Sequence, residues 1–177
     1  MRNILIVIDM QNDFIDGSLG TKEAEAIVDN VVEKIKSYDP EDVFATRDTH
    51  QPDYLDTQEG RFLPVVHCVE NTSGWQFDKK VGKAAEKLEN AEIINKPTFG
   101  SEQLIELLKE ENEKEAIGRI TLIGLCTDIC VVSNALMVKA AFPEMDVRVL
   151  KDCCAGVTPE THEAALTTMK MCQIVIE

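Results

Sequence analysis

Short apolar runs alternate with stretches of helical periodicity along the whole chain. "ILIVIDM" (residues 4–10) opens with five consecutive apolar residues, mostly branched, which predicts a strand buried on both faces. "EAEAIVDNVVEKIKSY" then places Ile27, Val31 and Ile35 on one side of a helix. "DVFAT" predicts a second strand and "EIINK" a third. In "SEQLIELLKEENEKE", Ser101 is the expected N-cap of a helix that buries Leu104, Ile105, Leu107 and Leu108. "RITLIGL" reads as a fourth strand, followed by a helix around "ICVVSNALMVKAA" that Pro143 ends. "DVRVLKD", a helix from about Pro159 to Met171 and "QIVIE" complete the pattern.

Nearly continuous apolar strands separated by helices imply a mostly parallel sheet covered on both faces, a three-layer α/β/α architecture. With no internal repeat, low-complexity tract or linker, the expectation is a single domain over residues 1–177. The segment from Asp48 to Lys80 fits no regular element, and long irregular segments in compact domains are usually functional. Ligands of open α/β sheets bind beyond the carboxyl ends of the strands. Asp9, Asp48, Lys96, Cys126 and Cys130 all fall there.

Composition narrows the partners. The 177 residues are 44% hydrophobic and 28% charged, as in ordinary globular proteins, but 32 acids against 18 bases give a net charge of -14. Such a chain repels phosphate backbones and anionic lipid, so neither nucleic acid nor membrane is an expected partner. No apolar run approaches the roughly 18–20 residues of a membrane helix. Acids appear too early in "MRNILIVIDMQND" for a signal peptide, so a cytoplasmic location is expected. In that compartment six cysteines are reduced thiols, and Cys68, Cys153, Cys154 and Cys172 are expected to be small buried hydrophobes.

Cys126 and Cys130, in "GLCTDICVVS", differ in setting from the other four. A helix starting near Thr127 or Asp128 places Cys130 in its first turn, where unpaired N–H groups and the positive dipole end favour a thiolate. Cys126 lies before it, in the turn. Asp9 ends one apolar strand and Lys96 another; taken singly, each is a strand-end charge reaching solvent. Together with Cys130 they supply a base, a cation and a sulfur, the set that acyl transfer by an activated thiol requires.

"ILIVIDMQNDFIDG", "INKPTFGS" and "GLCTDICV" resemble the three signature segments of the isochorismatase-like cysteine hydrolases, with the nicotinamidase branch most similar. The likeness extends in order over "TRDTHQPDY", "LPVVHCVENTSGW" and "LKDCCAG". It implies a six-stranded, Rossmann-like sheet and a catalytic triad of Asp9, Lys96 and Cys130. By the same resemblance, Asp9 takes the thiol proton, Lys96 stabilises developing charge, and the backbone N–H groups of Cys126 and Cys130 form the oxyanion hole. A cis peptide between Leu125 and Cys126 and a homo-oligomeric assembly are also implied.

"DTH" spaces Asp48 and His50 so that both point the same way from an extended segment, and His67 follows in "VVHC". One carboxylate and two imidazoles suit zinc, with manganese or iron as alternatives. For the remaining ligand the interval offers Asp53, Asp56 and Glu59. "EGRFLP" resembles the glutamate-bearing nicotinamidases, which favours Glu59 and keeps Asp56 as the alternative. Phe14 and Leu125 are expected in the substrate pocket, with Trp75 and Phe99 as further candidates, and His162 is expected to be structural.

The implied reaction is hydrolysis of nicotinamide to nicotinate and ammonia. Another small amide, a carbamoyl or ureido compound, is the enzymatic alternative. Isochorismate cleavage needs no thiol nucleophile. A redox or metal-storage protein using Cys126, Cys130, Cys153 and Cys154 would leave Asp9 and Lys96 without a role.

Overall fold

A computed structural model describes residues 1–85 and 92–177. Its first half runs β1 (Arg2–Ile8), α1 (Asn12–Ile15), α2 (Lys22–Lys36), β2 (Val43–Asp48), α3 (Gln58–Phe62), α4 (Lys79–Ala85) and β3 (Ile93–Lys96). The second half runs α5 (Glu102–Lys114), β4 (Ile117–Leu125), α6 (Val132–Ala141), β5 (Asp146–Ala155), α7 (Pro159–Met171) and β6 (Val175–Ile176). All strand pairs are parallel, in the order β3-β2-β1-β4-β5-β6. The chain therefore moves outward from β1 on one side, then returns to build the other side from β4. The carboxyl ends of β1 and β4 diverge into connections on opposite faces, which opens a crevice between them.

β1 shows why the apolar runs are continuous. Ile4, Ile6 and Ile8 pack into one cluster with α5, α6 and α7, whereas Leu5 and Val7 pack into a second with α2 and α4. Successive side chains of a strand point to opposite faces, so a strand covered on both sides has no polar position to spare. Gly124 lets β4 approach β1 at the level where they diverge. Its φ is +118°, and a Cβ there would lie 2.0 Å from the Ile8 carbonyl oxygen.

The helix caps follow the sequence closely. Thr21, Ser101 and Thr158 accept hydrogen bonds from the backbone N–H groups of Ala24, Leu104 and Thr161, and Pro159 begins α7. Three expectations need correction. β5 continues past Asp152 to Ala155, because a register shift between Leu122 and Gly124 allows pairing to resume at Cys154 and Ala155. Cys172 is exposed at the carboxyl end of α7, while Cys68, Cys153 and Cys154 are buried. The segment from Asp48 to Lys80 is not wholly irregular. It contains a 3-10 turn at Tyr54–Asp56 and then α3, capped by the Thr57 hydroxyl, which accepts from the Gly60 N–H.

Among the described residues no helix is long and apolar enough to cross a membrane.

Candidate active site

Asp9 follows directly on β1 and adopts the left-handed backbone conformation, with φ of 48°. Its carboxylate is wholly buried; Oδ1 accepts a hydrogen bond from the Thr46 hydroxyl at 2.7 Å, and Oδ2 lies 2.6 Å from Lys96 Nζ. Lys96, the last residue of β3, crosses under the end of β2 to make that contact. Its ammonium also donates to the Thr98 carbonyl at 3.1 Å and lies 3.4 Å from Cys130 Sγ and 3.6 Å from Asp48 Oδ1. A base, a cation and a sulfur from three separate segments therefore share one buried point.

Electrostatics distribute the protons. Burial alone would lower the Lys96 pKa, but Asp9, Cys130 and Asp48 outweigh it and lift the ammonium above its ordinary value. Burial raises the Asp9 carboxyl despite the opposing charge of Lys96. Cys130 is also raised, first by burial and then by Asp9, with Lys96 pulling the other way. The helix-start position is as expected, but the thiol is buried, and desolvation outweighs the dipole. Cys126 is no better placed, since burial and Asp128 push its thiol up to about 12.

The turn that carries Cys130 is a π-turn, Thr127–Val131, in which the Cys126 carbonyl accepts from both Ile129 and Val131. Asn134, in the first turn of α6 and fully buried, ties it down. Its Nδ2 donates to the Cys130 carbonyl at 2.8 Å and to the Phe99 carbonyl at 3.0 Å, while Oδ1 accepts from the Ser101 N–H. The thiol-bearing turn and the loop after Lys96 are thus fixed to each other. His162 braces the start of the turn, its Nδ1 lying 2.8 Å from the Thr127 hydroxyl. The Leu125–Cys126 peptide is cis, as expected.

Beside this point Asp48, His50, Glu59 and His67 converge, each offering one ligand atom within 4.8 Å of the others. Asp48 Oδ2 lies 2.9 Å from His50 Nε2 and 3.4 Å from His67 Nε2; Glu59 Oε1 lies 3.6 Å and 3.9 Å from the same nitrogens. Close packing puts Glu59 there. Gly60 sits against the 3-10 turn so tightly that a Cβ would meet the Tyr54 carbonyl oxygen at 2.1 Å, which brings the first turn of α3 inward. Asp56 is exposed and outside the group, so it does not offer itself as the alternative ligand.

These donors fit a divalent cation. His67 Nδ1 donates to the Val65 carbonyl at 2.8 Å, which leaves the Nε2 lone pair facing the cluster. His50 Nε2 is buried and, although 2.9 Å from Asp48 Oδ2, meets no partner in hydrogen-bonding geometry among the described residues. Burial works against the Asp48 carboxylate, but His50, His67 and Lys96 outweigh it and hold the group below its usual range. Among the described residues no cysteine belongs to this group.

Gln11, Thr46, Asn134 and Asp13 complete the frame without having been singled out in the sequence. Gln11 clamps the end of β2, with Nε2 donating to the Asp48 carbonyl and Oε1 accepting from the Asp48 N–H, both at 2.8 Å. Asp13 accepts from the Cys68 N–H, next to His67. The signal for Gln11 was its place beside Asp9 at a strand end; nothing local marked Asn134.

A cavity of about 720 Å3 opens over Cys130, with Asp48, Glu59 and His67 in its wall. Phe14 and Leu125 line it, and the Phe14 ring lies 5.5 Å from that of His67. Phe99 lies at its rim. Trp75 does not line it: Arg47 stacks 3.6 Å over its ring, and its Nε1 donates to the Thr49 hydroxyl.

The isochorismatase domain model matches residues 3–177. An isochorismatase family protein of Bacillus subtilis is 31% identical, the match covering 94% of this chain and 93% of that one. The nicotinamidase/pyrazinamidase of Mycobacterium tuberculosis is 28% identical over 96% of this chain and 95% of its own. The crystal structure of the pyrazinamidase of Pyrococcus horikoshii in complex with zinc superimposes with a TM-score of 0.82 at 30% identity, covering 100% of this chain and 99% of that one.

Proposed function

The chain belongs to the isochorismatase family, and from that premise we propose that it is a cysteine amidohydrolase of nicotinamidase type, acting on the carbon–nitrogen bond of nicotinamide. The observation that carries this reading is Lys96 Nζ, 2.6 Å from Asp9 Oδ2 and 3.4 Å from Cys130 Sγ, beneath a cavity of small-molecule size.

Asp9 takes the thiol proton as Cys130 Sγ attacks the amide carbon, and the Lys96 ammonium balances the charge that develops on sulfur. The raised proton affinity of Asp9 suits that task. Backbone N–H groups of Cys126 and Cys130 receive the oxyanion. Collapse of the tetrahedral adduct breaks the carbon–nitrogen bond. The proton held by Asp9 passes to nitrogen, and ammonia leaves a Cys130 thioester. Asp9 then draws a proton from the water that attacks the thioester; this proton returns to sulfur as the acid is released.

Asp48, His50, Glu59 and His67 would hold a divalent cation, with zinc the first choice and manganese or iron the alternatives. Such an ion, when bound, supplies an acceptor for a ring-nitrogen lone pair and so orients a pyridine carboxamide. Phe14, packed on His67, offers a flat face to that ring.

Ammonia release from nicotinamide, with the protein loaded in turn with zinc, manganese and iron, tests the proposal. Turnover with at least one metal is expected. A folded protein inactive on nicotinamide with all three would move the assignment to another amide.

A further inference from the structure

The cavity over Cys130 is larger than one amide-bearing ring requires. At about 720 Å3 it lies within the roughly 300–1,000 Å3 of pockets that bury whole drug-sized ligands. Beyond Cys130, Asp48, Glu59 and His67 the wall is mostly apolar, with Leu19 before α2, Ala24 in its first turn and Leu63 after α3; Thr21, Gln58 and Thr98 are its uncharged polar side chains. At the mouth Phe62, Val157 and Phe99 leave 85%, 51% and 43% of their surface exposed. Large exposed hydrophobes gathered at one opening mark a surface that a ligand covers.

Charge narrows the class further. No arginine or lysine is among the described lining residues, whereas Asp48 and Glu59 are. A divalent cation held by those two carboxylates would have its charge balanced by them, and Lys96 is already paired with Asp9. A substrate bringing its own carboxylate into that wall would be desolvated without a partner.

Resting on the amidase reading above, we propose that the preferred substrates are uncharged primary carboxamides with an apolar body larger than a single ring, and that carboxylate-bearing carbamoyl or ureido compounds are excluded.

The experiment is calorimetric titration of the zinc-loaded Cys130→Ala protein with three compounds. They are nicotinamide, nicotinamide bearing a phenyl group on a ring carbon remote from the amide, and the same aryl amide with a carboxylate on the phenyl. The aryl amide is expected to bind about tenfold or more tightly than nicotinamide, and its carboxylated form no better than nicotinamide. Adding Phe62→Ala, a change at an exposed position, should weaken the aryl amide more than nicotinamide. An aryl amide that binds no tighter than nicotinamide, a carboxylated compound that binds best, or equal losses in the Phe62→Ala protein would each overturn the proposal. Ammonia release by the parent protein separates the two ideas. No release from nicotinamide or the aryl amide overturns the amidase reading, whereas release from nicotinamide alone overturns only the inference about size.

Discussion

The two ends of β1 carry charge clusters of similar make-up and opposite consequence. At the start, Arg2 donates from Nε to Asp42 at 2.7 Å, from Nη1 to Glu111 at 2.6 Å and from Nη2 to the Glu41 carbonyl at 2.6 Å. Beyond the other end, Asp9 meets Lys96 at 2.6 Å. Distances alone do not separate them. The first cluster is only partly buried, its side chains 15–18% exposed, so solvent still reaches and screens the charges, and such pairs contribute about 1 kcal/mol. The second is wholly enclosed, where desolvation consumes most of the attraction and the pair adds little net stability. A buried pair with a thiol 3.4 Å away is better explained by chemistry than by folding.

The most severe way to probe that contrast is to remove the sulfur. Cys130→Ala should abolish turnover while leaving the melting temperature close to the parent's, and Cys126→Ala should largely spare turnover. Equal loss of ammonia release in both folded variants would reverse the assignment of nucleophile.

Lys96→Ala comes next and should act on both properties. It strands Asp9 without its partner, so a loss of about 3–5 kcal/mol in chemical denaturation is expected, together with at least a hundredfold fall in turnover, in order of magnitude. His50→Ala should leave the fold in place but release zinc during gel filtration. Cys130→Ala should retain the ion, since no cysteine belongs to the cluster.

The smallest effect is expected at the amino end. Arg2→Ala should cost about 1 kcal/mol or less and leave turnover unchanged. Its pH dependence has a definite sign. Lys114 and Arg2 hold the Glu111 carboxyl below its ordinary value of 4.5, so this stabilisation is complete above that value and disappears as pH falls through the lowered one. The stability gap between parent and Arg2→Ala should therefore be full at neutral pH and close in acid. A gap that widened in acid would contradict the arrangement.

What was legible along the chain followed from local physics. β1 and β4 were plain because strands covered on both faces must be apolar throughout, and Ser101 was plain because a cap needs only its own hydroxyl and a helix behind it. The short α3 was not, since it depends on Thr57 and on the close seat of Gly60 against Tyr54. Gln11 and Asn134 escaped notice because their partners lie 37 and about 33–35 residues away along the chain. The proton affinity of Cys130 is likewise set by more than its local sequence. Chain position reveals a helix start, but the burial that opposes its dipole is assembled from elsewhere.

Gly124 gives this fold an unusual point of fragility. Asp9 leaves the sheet on one side of it and the thiol-bearing turn on the other, so their separation is set by how near two backbones can lie. Adding a single methyl group there would wedge the central strands apart and lengthen the path a proton must cross, without altering any group that handles the proton. A variant of that kind would keep every reactive side chain and still lose its rate.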